Sequence, residues 1–257
     1  MRGDDTRVIT AAVSARFDTS ALWSAHAAGA EGWHDVNRQT RDLPERIAEL
    51  AGSALSSAAD PEPAGTGCVL GSVFGTGHVA ESIRQRLDAG ARRSLDPASF
   101  LYFTAHGVTA TVCLRHGLRG HCATLLGPAS GLQAMATALR RIRLDADLPM
   151  LCGGYEVLSP SAAEALGCAS TPAGAAAFLV LESARRARAR GARVLGTVRD
   201  LKVVAREPSR PWVDPLASAP LAELAEALRC LGAGPPAVVV HAEGGRHTYT
   251  CTVEREG

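Results

Sequence analysis

The sequence has little lysine, few aromatic residues, no long apolar stretch and almost no net charge. Lys202 is the only lysine among 257 residues, and the formal net charge at pH 7 is +1. Nucleic acids and anionic membranes bind proteins through concentrated basic faces, so this balance gives no reason to expect either partner. No segment reaches the roughly 18 apolar residues of a membrane span, and the N-terminal residues lack the apolar run of a secretory signal. We therefore expect a cytoplasmic protein.

The cysteines show none of the spacings of metal sites or disulfide frameworks. Their number is odd, and no CxxC pair occurs. In a reducing compartment such cysteines are usually small buried side chains, and we expect that role here. His106, His116 and His121 have spacings of ten and five residues that match no zinc signature, so we expect neither a metal nor another cofactor. The cysteines are Cys68, Cys113, Cys122, Cys152, Cys168, Cys230 and Cys251.

Short apolar runs alternate with amphipathic, alanine-rich segments, which is the pattern of an α/β layered domain. The strands 176–182 and 193–204 are expected to be neighbours in the sheet, and residues 154–172 to form loops. Other strands are predicted over 7–15, 68–72, 122–126, 148–153, 237–241 and 248–253. Helices are predicted over 19–28, 41–57, 79–87, 100–114, 130–143, 183–190 and 221–231.

The proline-rich segment 206–220 is the strongest linker candidate in the chain. It divides the sequence into a first domain over residues 1–205 and an abbreviated C-terminal segment over residues 221–257.

Five segments, in register, resemble the β-ketoacyl synthases of the thiolase superfamily. The resemblance implies a thiolase-like layered α-β-α-β-α fold, with a largely complete N-terminal half and a strongly truncated C-terminal half. The segments are VITAAVSA (8–15), GCVLGSVFGTG (67–77), LRHGLRGHCATLLGPASGLQAMATAL (114–139), LPMLCGGYEVLSP (148–160) and AGAAAFLVLESARRARARGARVLG (173–196).

The chain departs from this family at the residues that carry the chemistry. A ketosynthase has TACSSG at its nucleophile turn, whereas residues 126–131 are LGPASG, which puts Pro128 at the cysteine position. Proline has neither a nucleophile nor a backbone N–H, so the attacking thiol and one oxyanion-hole donor are both missing. The family's GEGAA appears as AGAAA over 173–177, without its carboxylate.

The C-terminal half is too short to hold both active-site histidines of a ketosynthase. Only about 50 residues follow Arg206. The segment PAVVVHAEGG (236–245) resembles the first histidine motif, with His241 at the histidine position. Alternatively, GGRHTYTCTV (244–253) matches the closing glycine-rich turn and last strand of the family. Both alternatives leave the second half severely shortened.

Family members that lack the cysteine are the chain length factors, the partner subunits of type II polyketide ketosynthases. RHGLRG (115–120) before an altered nucleophile turn resembles that class, and the truncation resembles the short forms of polyene and aryl-polyene pathways. The resemblance implies a non-catalytic subunit that forms a heterodimer with an active ketosynthase. The partner's Cys-His-His would elongate a chain held on an acyl carrier protein, in a pathway to a polyene or other highly reduced product.

No other side chain is expected to replace the missing nucleophile. Ser130 begins a predicted helix, where a hydroxyl usually caps the backbone or packs. Cys122 lies in the preceding strand and is expected to be buried and inert. His241 is a general base without a nucleophile, so we expect it to be structural, with lining of a vestigial pocket as the next alternative.

Two surfaces are predicted to carry the partner function. Thr76, Val79 and Ile83 share one helical face. The resemblance makes this face the floor of the acyl tunnel, and ordinary core packing is an equal alternative. The weakly polar segment 100–114 suits burial against another subunit. Its expected interface residues are Phe100, Phe103, Thr104, Val108, Thr111 and Val112.

Two other functions stay open. One is a residual malonyl-carrier decarboxylase or acyl hydrolase. Some cysteine-less relatives decarboxylate with an amide side chain at the cysteine position, and Pro128 offers none. The other is a stand-alone acyl-binding scaffold protein. The arginine run over 185–193 is expected to be a solvated face, with contact to an acidic carrier protein as the alternative.

Overall fold

The computed structural model describes residues 6–59, 63–165, 173–205, 217–229 and 235–256. Its architecture confirms the predicted α/β class, since eight strands of the described chain form one mixed sheet with helices on both faces. The strands are β1 (Arg7–Asp18), β2 (Gly67–Ser72), β3 (Cys122–Leu126), β4 (Met150–Val157), β5 (Ala173–Ser183), β6 (Gly196–Ala205), β7 (Ala237–Gly244) and β8 (His247–Arg255). The helices are α1 (Ser20–Ala27), α2 (Trp33–Ala58), α3 (Gly77–Asp88), α4 (His106–His116), α5 (Ser130–Leu144), α6 (Pro160–Ala165), α7 (Ala184–Ala189) and α8 (Ala219–Arg229).

The strand order is β3-β2-β4-β5-β1-β6-β8-β7, so β3 and β7 are the two edges of the sheet. The predicted pairing of strands 176–182 and 193–204 is wrong, because β1 lies between β5 and β6. Val8 pairs with Glu182 on one side and with Thr197 on the other. Both neighbours run antiparallel to β1, and the segment containing α7 makes the crossover between them. Periodicity predicts strands but carries no information on which strand is inserted between two others.

Two hydrophobic clusters lie on opposite faces of the sheet. One joins α1, α2 and α4 to the sheet through residues such as Leu43 and Val112. The other contains Met135 of α5, Leu224 of α8 and Cys251 of β8, together with residues of the N-terminal strands. Helix α5 therefore packs on this face against strands from both ends of the sheet, and α8 packs beside it. Strands β6 and β7 expose three valines, Val203, Val204 and Val239.

Several predicted boundaries move. Helix α2 begins at Trp33 instead of residue 41, because Val36 and Thr40 extend its buried stripe. The loop prediction for 154–172 is wrong over 154–165, where β4 continues to Val157 and α6 follows. Residues 166–172 and most of the predicted linker, 206–216, lie outside the described part of the chain, and the division into domains stays a prediction.

The predicted helix over 100–114 is two separate elements. A 3-10 segment, Pro97–Tyr102, precedes α4, and the chain turns between them. At this turn the Phe103 carbonyl accepts a hydrogen bond from the Thr76 hydroxyl, and the Ala105 carbonyl accepts one from the Tyr155 hydroxyl. These tertiary bonds anchor the break. No helix in the described residues is long and apolar enough to cross a membrane.

Candidate functional site

The nucleophile turn connects β3 to α5 and carries no reactive group. Gly127 (φ 110°) and Ala129 (φ 61°) both have left-handed backbone conformations, and Pro128 lies between them. Proline cannot adopt a positive φ, so the strained position of the turn falls on Ala129. Neither Pro128 nor Ala129 has a side chain able to attack an acyl group. Whichever of the two stands at the predicted cysteine position, its side chain offers no nucleophile.

Backbone from three other segments closes tightly around this turn. A β-carbon at Gly71 would lie 2.3 Å from the Ser130 backbone, and one at Gly131 would lie 1.9 Å from the Ala217 carbonyl oxygen. A β-carbon at Gly244 would lie 2.5 Å from the Pro128 carbonyl oxygen. Glycines are thus required where strands β2 and β7 and the segment before α8 approach the start of α5. Ala129, Ser130 and Gly131 are buried as a result.

Of the three residues considered as replacements, Ser130 is buried at the start of α5, and Cys122 and His241 lie on the two edge strands of the sheet. Ser130 was expected to cap the helix or to pack; it is buried, its hydroxyl has no hydrogen-bond partner among the described residues, and the N-cap position is Ala129, so it packs and does not cap. Cys122 is exposed rather than buried, on the edge strand. His241 alternates with the buried Val240 and Ala242, so its ring lies on the outer face of β7, where Nδ1 is 3.0 Å from the Thr250 hydroxyl.

A buried carboxylate that was not predicted from the sequence lies near the end of β4. Glu156 of β4 is 0% exposed and accepts hydrogen bonds from the Ser72 hydroxyl and the Val73 N–H, each at 2.8 Å. The Phe74 and Ala217 N–H groups donate to it as well, at 2.9 and 3.4 Å. Burial raises its pKa to about 7, and these donors oppose the rise. Glu156 therefore ties the β2–α3 turn to the segment that seals α5. A lone acid within the apolar run of 148–158 was the available signal.

The predicted tunnel face is buried at the start of α3. Val79 is 1% exposed and Ile83 is 8% exposed, and neither belongs to the large clusters on the two sheet faces. Thr76 precedes the helix and bonds to the Phe103 carbonyl, next to Gly75, which lies against Leu126 at the end of β3. The face formed by Thr76, Val79 and Ile83 thus begins near Leu126 at the edge of the sheet and continues along α3 as a buried surface. His78 on the same helix is fully buried, and burial lowers the pKa of its imidazole to about 3.

The predicted interface residues divide into two groups. Val108 and Val112 pack into the core against α2 and cannot contact a partner in this conformation. The reason is the break before α4, which turns that stripe of the helix inward. Phe100, Phe103 and Thr104 are exposed, and Thr111 lines a cavity of about 540 Å³. Five large side chains exposed around β3 and α4 form what we call the apolar edge patch: Phe100, Leu101, Phe103, Leu114 and Leu126.

The arginine run is bound mainly to its own chain. Arg186 and Arg190 both pair with the buried Glu182, at 2.9 and 2.5 Å, and Arg185 pairs with Asp147. The expectation of a fully solvated face is therefore wrong for Arg186 and Arg190. No cluster of three or more potential metal ligands occurs in the part of the chain that the structure describes.

No family model matches the sequence, and no curated protein matches it. Solved structures do match. A type II polyketide synthase acyl-carrier protein in complex with its ketosynthase bound to the hexaketide (AntDE:AntF) aligns with a TM-score of 0.75 and 15% identity, over 98% of this chain and 99% of that one. The ishigamide ketosynthase/chain length factor aligns with a TM-score of 0.74 and 14% identity, over 99% and 100%.

A β-ketoacyl synthase from Burkholderia phymatum aligns with a TM-score of 0.71 and 15% identity, over 98% of this chain and 100% of that one. A ketosynthase from module 6 of the bacillaene synthase of Bacillus subtilis gives a TM-score of 0.59, and only 58% of that longer chain is covered. Short ketosynthase-like chains therefore match from end to end, whereas this modular ketosynthase extends well beyond the match. The chain has the thiolase-like fold of the β-ketoacyl synthases, and over its whole length it resembles structures described as ketosynthase and chain length factor.

Proposed function

We propose that this chain is a non-catalytic, chain-length-factor-like subunit that forms a heterodimer with an active ketosynthase of a type II polyketide synthase. The observation that carries the proposal is the nucleophile turn. It keeps the strand-turn-helix path of the family, yet it presents Pro128 and Ala129 and is closed by the backbone of three other segments. A turn of this kind has a structural role and no means of holding an acyl group covalently.

The edge of the sheet supports a protein partner. β3 is an edge strand, and an unpaired edge offers backbone donors and acceptors to a second chain. The apolar edge patch lies beside it, with Leu114 84% exposed and Leu126 60% exposed. Exposed apolar side chains concentrated at one place mark an interaction surface. We therefore assign β3 and the apolar edge patch to the ketosynthase interface, and leave Val108 and Val112 out of it.

The face formed by Thr76, Val79 and Ile83 adjoins this interface through Thr76 and Gly75. In the proposed heterodimer it closes the far end of the partner's acyl tunnel, and its side-chain volumes set how long the chain on the acyl carrier protein grows. A steric wall needs no reactive group. We place the complex in the cytoplasm, and we place its product among polyenes or other highly reduced chains because Pro128 in the turn resembles the forms of those pathways.

Co-expression with a ketosynthase of the same pathway tests the proposal. We expect a one-to-one complex in sizing chromatography, with its binding weakened at least 100-fold by Leu126→Glu, because that change buries a charge at the apolar edge patch. Leu144→Glu is the matched control, since Leu144 is 75% exposed at the far end of α5. No complex with the wild-type chain, or equal loss with both variants, would contradict the proposed interface.

A further inference from the structure

Three cysteines from three different elements meet where α4 packs on the edge of the sheet. Cys68 of β2 lies opposite Cys122 of β3 in the parallel register, so both side chains point to the same face. Cys113 of α4 lies over this face, and its sulfur is 3.6 Å from the sulfur of Cys122. Nothing in the proposed function uses these thiols.

The three thiols differ in their access to solvent. Cys68 is 1% exposed, Cys113 is half-buried and Cys122 is exposed. A dissolved reagent can therefore reach Cys113 and Cys122 but not Cys68. The 3.6 Å between the sulfurs of the accessible pair has to shorten to the distance of about 2 Å at which two sulfurs bond.

The three thiols also differ in acidity. A hydrogen bond from Cys68 lowers the pKa of Cys113 to about 7, and Cys122 contributes a second, smaller hydrogen bond in the same direction. Partial desolvation, followed by the charge and the hydrogen bond of the neighbouring Cys113, raises the pKa of Cys122 to about 12 although its side chain reaches the surface. The thiolate present at neutral pH is thus on Cys113. An accessible thiolate beside a second thiol is the arrangement found in oxidisable dithiols.

We propose that Cys113 and Cys122 are a redox-sensitive dithiol, which a peroxide converts into a disulfide that joins α4 to the edge strand β3. Cys113 is the attacking residue and Cys122 the resolving one. Cys68 acts through Cys113 as a positioning residue that stabilises its thiolate.

The chemistry balances with hydrogen peroxide as the oxidant. The Cys113 thiolate attacks one peroxide oxygen, the O–O bond breaks, and the departing hydroxide takes a proton from solvent to become water. Cys113 is then a sulfenic acid. The Cys122 sulfur attacks the Cys113 sulfur, the S–O bond breaks, and the hydroxyl leaves with the Cys122 proton as a second water. The two thiols lose two electrons, which the peroxide gains, and a dithiol reductant reverses the change.

Other roles for the three cysteines fit the geometry less well. A Cys68–Cys113 disulfide needs the buried Cys68 as a reactant, and its hydrogen bond to Cys113 together with burial holds the pKa of Cys68 well above its usual range. A metal site is disfavoured because no group of three or more cysteine, histidine or acidic residues in the described chain is arranged to hold an ion.

The position of the dithiol suggests what it controls. β3 and α4 carry the apolar edge patch, so a disulfide between them fixes the helix against the strand that we assign to the ketosynthase. This consequence rests on the proposed function, whereas the dithiol chemistry does not. In the assembled complex the partner would cover Cys122, and oxidation would act on the free subunit.

Peptide mapping of the full-length chain tests the dithiol. Cys168 and Cys230, which lie outside the described residues, are first replaced by serine so that they cannot react. The protein is treated with hydrogen peroxide at pH 7, free thiols are blocked with N-ethylmaleimide, and the digest is analysed by mass spectrometry. We expect a cross-linked peptide that joins Cys113 to Cys122, and its loss after treatment with dithiothreitol. Oxidation of Cys122 without a cross-link, or a cross-link to Cys68, would overturn the proposal.

Two further readouts separate the chemistry from a folding defect. In the chain with only Cys168 and Cys230 replaced, the rate of Cys113 alkylation by iodoacetamide should reach half its maximum near pH 7. Cys68→Ala should slow disulfide formation at pH 7 about tenfold, since an ordinary cysteine with a pKa of about 8.5 is only a few per cent thiolate there. Cys251→Ala is the control for loss of a buried thiol and should leave the rate unchanged. A Cys113 profile centred above pH 8 would contradict the assignment, and failure to bind a ketosynthase would not.

Discussion

The nucleophile turn and the edge formed by β3 and α4 are neighbours in the chain, but they differ in almost every physical respect. The turn is enclosed by backbone, requires glycine at Gly71, Gly131 and Gly244, and has no reactive side chain. The edge exposes Leu114 and Leu126 and keeps three thiols close together. The turn thus follows a strand-turn-helix path without a nucleophilic side chain at Pro128 or Ala129, whereas the exposed apolar side chains and thiols lie at the edge.

Adding a side chain at Gly131, where backbone encloses the turn, should have the largest effect on stability. A methyl group at Gly131 would lie 1.9 Å from the Ala217 carbonyl oxygen, which belongs to backbone and cannot move freely. We expect Gly131→Ala to lower the free energy of unfolding by about 2–4 kcal/mol. Gly77→Ala is the matched control, because its nearest neighbour would be 3.9 Å away, and it should change stability by less than about 0.5 kcal/mol.

Urea denaturation of both variants, followed by circular dichroism, measures these differences. Leu126→Glu belongs in the same series, because an exposed residue at the edge should leave the stability of the isolated chain unchanged. Equal destabilisation by Gly131→Ala and Gly77→Ala would show that backbone does not pack tightly around the turn. The proposed difference between the turn and the edge would then be wrong.

Helix α3 begins just after Gly75, which lies against Leu126 of the edge, and it allows a second test. If Ile83 faces the acyl tunnel, Ile83→Phe removes room for the growing chain at a cost of about 1–3 kcal/mol in the last elongation. Each increase of about 1.4 kcal/mol in the activation free energy slows a step tenfold, so the last elongation slows roughly 5- to 150-fold while earlier steps are unaffected. The products of the heterodimer should become shorter by mass spectrometry. Leu87→Phe is the control on the same helix, since Leu87 is 46% exposed.

If this face of α3 is ordinary core, the same variant should give a different result. Unchanged product lengths, together with a lower free energy of unfolding for Ile83→Phe, would mean that Thr76, Val79 and Ile83 are core residues only. The tunnel assignment would then be abandoned, whereas the interface at the edge would be untouched.

A smaller effect concerns the buried acid near the end of β4. The pKa of Glu156 is about 7 in the folded chain, against about 4.3 for an unfolded glutamate, so the folded state binds this proton more tightly. Its contribution to stability is therefore present below pH 4.3 and is lost as the pH rises towards 7. Between pH 4.5 and 7.5, the stability of wild type relative to Glu156→Gln should fall by about 1–3 kcal/mol.

Urea titrations of both proteins at several pH values measure this difference. His26 and His78, whose pKa values are lowered by burial, favour folding as the pH rises, and they contribute equally to wild type and variant. A wild-type stability that rises relative to Glu156→Gln over this range would contradict the assignment of the buried acid.

The part of the site that depends on residue identity could be predicted from sequence, and the part that depends on packing could not. Pro128 excludes a thiol wherever it lies in the fold. The orientation of His241 was also available, because Val238, Val240 and Ala242 alternate with it as a buried strand face. By contrast, the exposure of Cys122 follows from the place of β3 at the edge of the sheet, which the local pattern does not encode.

Hydrogen bonds between residues far apart in sequence explain the remaining differences between the predicted and the observed structure. The turn before α4 depends on Thr76 and Tyr155, which are distant in sequence from the carbonyls that they bind, so the pattern over 100–114 predicted one continuous helix. The inward direction of Val108 and Val112 followed from that turn. The most locally encoded elements, such as β3 and α5, were predicted almost to the residue.

The central claim is that this chain supports polyketide elongation without reacting itself, and intact-protein mass spectrometry of the reconstituted heterodimer tests it most directly. The complex is incubated with malonyl-carrier protein, once with the intact ketosynthase and once with the partner's active-site cysteine changed to alanine. We predict acyl adducts on the intact ketosynthase alone, elongated products only in that sample, and no adduct on this chain in either. An acyl adduct on this chain, or elongated product from the sample whose partner lacks its cysteine, would contradict the account.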